Sequence, residues 1–330
     1  MAFQLKAKES LSDGIARNVK RQIEKAIDHL DSNRKPPQGG TRAHEAVPNE
    51  VRKCFKKVRA ALRLVREELG DDVYREANYC FRDAARLLGE VCDAVRLVDA
   101  VDKLNFQPFA EVVESGAFAK IHEALLTNQK GVTRRVVDED KALSAVEEFA
   151  TRALARLPDW RIKREGWAAL ESGLRRVYRT GHRAHALAAE NSSVENLHEC
   201  HKQAKHLWLQ LQLLGTAWTR SEKKLIDQTH KLSRVLGEDH DLAVLRETLA
   251  ADPVAYGGHR ILKGVFVVID HRREELERQA FALGRKLYKD SLKVFTNRIG
   301  DYCKAWQLRS KQRSSPREVA RPRAGRCRTP

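Results

Sequence analysis

The chain has 330 residues, with 62 Lys and Arg against 45 Asp and Glu, a net charge of +17 and an isoelectric point near 9.7. Its six cysteines show no CxxC pair and no tight framework, which excludes a disulfide-stapled scaffold and fits reduced thiols in a cytoplasmic protein. No apolar run approaches the ~18 residues that span a bilayer, and no apolar segment follows the first residues, so a soluble intracellular protein is expected.

In chain order the signals are helical. The first helix is GIARNVKRQIEKA (14–26), followed by a breaker-rich loop, SNRKPPQGGT (32–41). Next comes NEVRKCFKKVRAALRLV (49–65). At 100° per residue, Lys53 and Lys56 fall within about 40° of Asn49, and Arg52, Arg59 and Arg63 within about 80°. Val51, Cys54, Val58, Leu62 and Val65 gather on the other side. With Pro48 before it, Asn49 is expected at a helix N-cap. Phe81, Ala84, Ala85 and Leu88, then Val91, Val95 and Val98, keep helical spacing, and TNQKGVTRR (127–135) reads as a connection.

The same order then returns. GLRRVYRTGHRA (173–184) resembles 14–26, with Gly173 on Gly14, Arg176 on Arg17 and Arg179 on Lys20. After a loop at AENSSVEN (189–196), HECHKQAKHLWLQLQLL (198–214) pairs with 49–65 at an offset of 149, placing Lys202 on Lys53 and Lys205 on Lys56. RVLGEDHDLA (234–243) pairs with RLLGEVCDAV (86–95) at an offset of 148. The first helix pair is offset by ten residues more than the second, and the Pro-Pro-Gln-Gly-Gly loop accounts for them. DPVAYGGH (252–259) is a further loop, and GVFVVI (264–269) reads as a buried helix segment rather than a strand. About four helices per half are expected. From Arg309 the chain has eight Lys or Arg, one Glu and three Pro, and is expected to be a disordered basic tail (309–330).

In the second basic helix His198, His201, Lys202 and Lys205 form the ridge, flanked by His206 and Trp208, while Cys200, Ala204, Leu207, Leu211 and Leu214 face the core. The preceding helices add a second row, Arg17, Lys20 and Arg21 in the first half and Arg176, Arg179, His182 and Arg183 in the second. Acidic residues are almost missing from these stripes, so i,i+4 ion pairs cannot account for them. A self-repelling stripe occurring twice points to a polyanion that relieves the repulsion. Arg offers bidentate forks to phosphate oxygens and Lys a mobile point charge. HECH (198–201) is not a HExxH metal motif, and its cationic surroundings oppose a metal. Asp93 and Asp241 are expected to orient a nearby Arg or cap a helix. No nucleophilic triad or P-loop is found, so no catalysis, cofactor or metal is expected.

The run LHECHKQAKHLWLQLQLL, followed by LSRVLGEDHDLAVLRETL, and the ending ALGRKLYKDSLKVFTNRIGDYCKAW (282–306) resemble the conserved-histidine α-helical domain, the CHAD family. The resemblance implies an all-α fold over 1–308, built as two four-helix bundles (1–155 and 156–308) about a pseudo-twofold axis, with a basic central channel that binds inorganic polyphosphate. It makes His198 the family histidine and Lys202 and Lys205 its basic positions, with Arg52, Lys53 and Lys56 in the first half. Asn49 replaces the first-half histidine and His201 stands where the family has Arg. The ExExK strand of the triphosphate hydrolases often fused to this family is absent. The alternative partner is nucleic acid, held by the same stripes and the Arg-rich tail; a metal-dependent phosphatase built on Asp241 is a third. Polyphosphate granules are a compatible address.

Overall fold

Apolar side chains recurring at helical spacing along nearly the whole chain fold into twelve α-helices, with no strand among the described residues. The computed structural model describes residues 3–6, 9–34, 42–104, 111, 113–215 and 220–314. The helices are α1 (Leu11–Arg34), α2 (Arg42–Leu64), α3 (Arg66–Leu69), α4 (Asp71–Leu87), α5 (Gly89–Leu104), α6 (Ala117–Thr133) and α7 (Ala142–Ala155) in the first half. In the second they are α8 (Trp167–Glu190), α9 (Val194–Leu213), α10 (Arg220–Ala251), α11 (His259–Leu287) and α12 (Leu292–Ser314). Seven and five helices therefore stand where about four and four were expected.

The face assignments hold. Val51, Cys54, Val58, Leu62 and Val65 are buried on or just after α2, as are Cys200, Ala204, Leu207, Leu211 and Leu214 on or just after α9. GVFVVI lies inside α11, with Val265, Val268 and Ile269 in the core. Three local readings are corrected. Residues 127–135 form no connection: they finish α6 and enter a single wide turn of π-helix (Arg134–Glu139), because Val136 continues the buried stripe past Gly131. Asn49 is no N-cap, since α2 begins at Arg42 and carries Pro48 within it. That proline, in the second turn of the helix, removes the N–H that would have reached the His44 carbonyl and crowds that carbonyl with its ring. The connection before α9 is just 191–193, where the Ser193 hydroxyl caps the helix by accepting from the Asn196 N–H at 3.3 Å. At the other end, α12 runs on through 309–314 into the stretch expected to be disordered, and residues 315–330 lie outside the described residues, as does most of the 32–41 loop.

Packing puts the repeated elements together. α2, with the first basic block, packs on α9, with the second; α5 packs on α10, so the two LGE blocks also meet. α1 lies along α2, and α8 along α9. The buried apolar side chains form one contiguous cluster through both halves. Gly14 and Gly173, paired by the repeat, each mark a close approach. A methyl on Gly173 would overlap the Leu64 carbonyl at the end of α2, and one on Gly14 would press on Leu5 and Glu9. A backbone carbonyl cannot swing aside, so Gly173→Ala is expected to cost about 3 kcal/mol, measured as a shift in the denaturant midpoint. An unchanged midpoint would mean that α8 does not need this contact.

Candidate anion-binding site

Burial of one face of α2 and one face of α9 turns the opposite faces toward a common open cleft of about 540 Å³. α2 contributes Arg52, Lys53, Lys56 and Lys57; α9 contributes Lys205 and Trp208; α1, α5 and α10 add Lys25, Arg96 and His230. Against these cations stand the carboxylates of Glu50 and Asp99.

The charges strain against one another. Lys56 is held down to about 8, first because the cleft walls displace water from its ammonium and then because Arg52, Arg96 and Lys205 repel the proton. Its side chain is accessible from the concavity, yet hemmed in by protein on several sides. Lys205 is its repeat partner. Burial lowers Lys57 and Lys205 as well; Lys53 and Lys57 add to the effect on Lys205. The Lys205 ammonium stands 4.3 Å from the centre of the Trp208 indole, which stacks on His230 at 4.3 Å.

A histidine wall adjoins the cleft. His198 and His240 lie 4.0 Å apart between ring centres with their planes tilted by 36°, and His201 is 6.2 and 6.4 Å away. The Nδ1 atoms of all three are buried and meet no hydrogen-bond partner in the protein. Burial, reinforced by Lys56, pushes His201 down to about 3; burial and the His198 ring push His240 to about 4; His198 is lowered by burial and Lys202. All three are therefore neutral near pH 7 in the empty protein. Asp93 and Asp241, paired by the repeat, converge on Arg96: Asp93 contacts it directly and Asp241 lies 3.6 Å away, while Arg52 is 3.6 Å from Asp93. The expectation that these aspartates orient an arginine is met.

Arg59, Arg63 and His206 form a third group, continuing the α2 stripe beyond the cleft. Arg59 Nε donates to Asn78 Oδ1 at 3.1 Å and Arg63 donates to the Arg59 carbonyl at 3.4 Å. The two acids within the ridges are used: Glu50 accepts from Lys53 at 2.7 Å and Glu199 pairs with Lys202. These i,i+3 pairs correct the reading that the stripes lack acidic partners, although Lys56, Lys57 and Lys205 have no such pair among the described residues.

The second row lies elsewhere. Arg17 is gripped by Glu9, with a 2.7 Å bond from Nε, and bonds the Gln4 carbonyl at 2.9 Å; Lys20 is 3.7 Å from Glu24; Arg21 is half-buried on α1. Arg176 is held by Glu67, and Arg179, His182 and Arg183 are exposed on α8, with the His182 ring edge-on to Tyr288. None of these seven lines the cleft. Conversely, Lys25, Lys57, Arg96 and His240 were missed in the sequence. Arg96 carried a usable signal, since it stands three residues after the repeated Asp93; His240 sits opposite a cysteine in the repeat, so symmetry hid it.

Among the described residues no three His, Cys, Asp or Glu side chains converge as a metal would require, and no helix is long and apolar enough to cross a membrane. The fold and site define a class, an all-helical protein in which two basic helices wall an open cleft. Residues 21–250 match the CHAD domain, and the chain belongs to the CHAD family. No curated protein matches it.

Proposed function

We propose that the protein binds inorganic polyphosphate without turning it over, and that the chain of phosphates lies in the cleft between α2 and α9. In this reading residues 1–155 and 156–308 are two related bundles that each supply one wall. The observation that carries it is the lining of the cleft: Arg52, Lys53, Lys56 and Lys57 of α2 share it with Lys205 of α9, Lys25 and Arg96 against only Glu50 and Asp99, so cations crowd together with too few carboxylates to balance them. A flexible polymer with one negative charge per internal unit satisfies such a row, and needs no base-reading groups.

The nucleic-acid alternative has one observation in its favour, the indole of Trp208 on the cleft wall. Single-strand binders stack bases on such rings. Here His230 already stacks on the indole and the Lys205 ammonium stands over it, so the ring is occupied by the protein itself. A competition at about 0.15 M salt, where weak surface attraction is screened, separates the two. Long-chain polyphosphate is expected to resist displacement by DNA or RNA at equal phosphate concentration. Ready displacement would reverse the assignment.

A further inference from the structure

Arg52, Lys56, Arg59 and Arg63 are spaced i, i+4, i+7 and i+11, one continuous stripe about 16 Å long on α2. Only the first two line the cleft. The stripe therefore runs out of it toward α4, where Arg59 and Arg63 meet His206 of α9. His201 joins the two regions: Lys56 and Lys205 oppose its protonation from the cleft, and His201 in turn opposes that of His206.

This outer group has a peculiar balance of donors and acceptors. Arg59 spends its Nε on Asn78, and Arg63 one nitrogen on a backbone carbonyl, which leaves N–H groups on both guanidinium ends. Neither forms an ion pair among the described residues, although both are half-buried. The nearest acid on α4, Asp83, is taken by Arg82 through bonds of 2.9 and 3.2 Å. His206 adds a buried Nδ1 with no partner in the protein, and Lys202 approaches from the rim. Two neighbouring guanidinium groups without an ion pair repel each other; burial and this repulsion hold Arg59 down to about 10, with Asp83 offsetting only part of the effect. The repeat shows that this is no general feature of the fold, because the position matching Arg59 is Trp208. The two matching positions are unlike: α9 carries an aromatic ring where α2 carries one of two paired guanidinium groups.

Internal and terminal phosphates also differ. An internal unit carries one charge and two free oxygens. A terminal unit has three free oxygens and a second ionisation near pH 6, so it carries close to two charges at neutral pH. Paired arginines with spare N–H groups match that higher charge and extra oxygen. We propose that Arg59, Arg63 and His206, with Lys202 at the rim, bind the terminal phosphate of a chain whose interior occupies the cleft. This rests on the polyphosphate reading and adds that the protein engages chain ends.

The test compares the full-length protein's affinity for long-chain polyphosphate with that for the same chain capped at both ends as phosphate esters. Capping removes only one charge at each end, so a site that reads internal units binds both alike. The uncapped chain is expected to bind about tenfold more tightly, and the preference is expected to vanish in the full-length double variant Arg59→Gln, Arg63→Gln. Equal affinities of the wild-type protein for the two chains would overturn end binding while leaving the polyphosphate reading intact. Failure to bind either chain would sink both. The wild-type comparison decides the matter even if the variant does not fold.

Discussion

Reversing one charge on each wall of the cleft, Lys56→Glu with Lys205→Glu, is expected to weaken polyphosphate binding by at least about a hundredfold, since each change removes a charge-assisted contact and adds a repulsion. The fold should survive. Position 56 faces Arg52, Arg96 and Lys205, and a carboxylate there exchanges the repulsions from Arg52 and Arg96 for attractions, while positions 56 and 205 repel each other as they did before. The matching reversal outside the cleft, Arg179→Glu with Arg183→Glu, changes the net charge equally on exposed positions of α8. It is expected to alter affinity by less than about threefold, because exposed charges act mainly through a screened field. Equal losses in the two double variants, measured by calorimetry in the same buffer, would mean that the polyanion senses overall charge and that the cleft has no special part.

The same lysine makes a prediction about stability. Neutralising a hemmed-in ammonium among like charges removes a penalty. Lys56→Gln is therefore expected to stabilise the empty protein, by about 1 kcal/mol once solvent screening in the open cleft is allowed for, even as it weakens binding. A gain in stability with a loss of affinity is the mark of a residue kept for its ligand.

The sequence carried the fold class, the buried faces of α2 and α9 and the convergence of the two basic blocks, because each follows from helical periodicity or internal repetition. Val51, Cys54 and Val58 could be placed by angle alone. Which cations share a cavity could not be read that way. Arg17 and Arg176 look like members of the site by repeat position, yet Glu9 and Glu67 claim them, and both carboxylates lie on segments with no cationic pattern. Lys57 and Lys25 line the cleft because of how α1 leans on α2, a tertiary angle that no local spacing records. His240 faces His198 across α9 and α10 only because those helices pack together. The π-helical turn after α6 was invisible for a related reason: Gly131 and Thr133 look like breakers, and only burial of Val136 shows that the helix carries on.

The histidine wall gives the second large effect, a dependence on pH that changes when polyphosphate binds. In the unfolded chain His201 and His240 take up protons near 6.5; in the empty folded protein they wait until about 3 and about 4. Between those values the unfolded chain holds more protons, so their contribution is complete above about pH 6.5 and is lost as pH falls toward 4. Lys56 acts at the other end. Its folded value of about 8 lies below 10.5, so the unfolded chain again holds more protons between the two, and the empty protein gains stability as pH rises through that window. A polyanion reverses these preferences by favouring every protonated form. Binding should therefore take up protons: affinity is expected to rise as pH drops below about 6.5 and to fall as pH passes about 8. Calorimetry in two buffers with different ionisation enthalpies measures the uptake directly, and a His201→Gln, His240→Gln variant should lose the acid-side part while keeping the decline near pH 8. Affinity that stays flat from pH 5 to pH 9, with no proton uptake, would show that the phosphates never approach these groups. The acid-side and alkaline-side effects depend on different walls, so loss of one alone would locate the chain along the cleft.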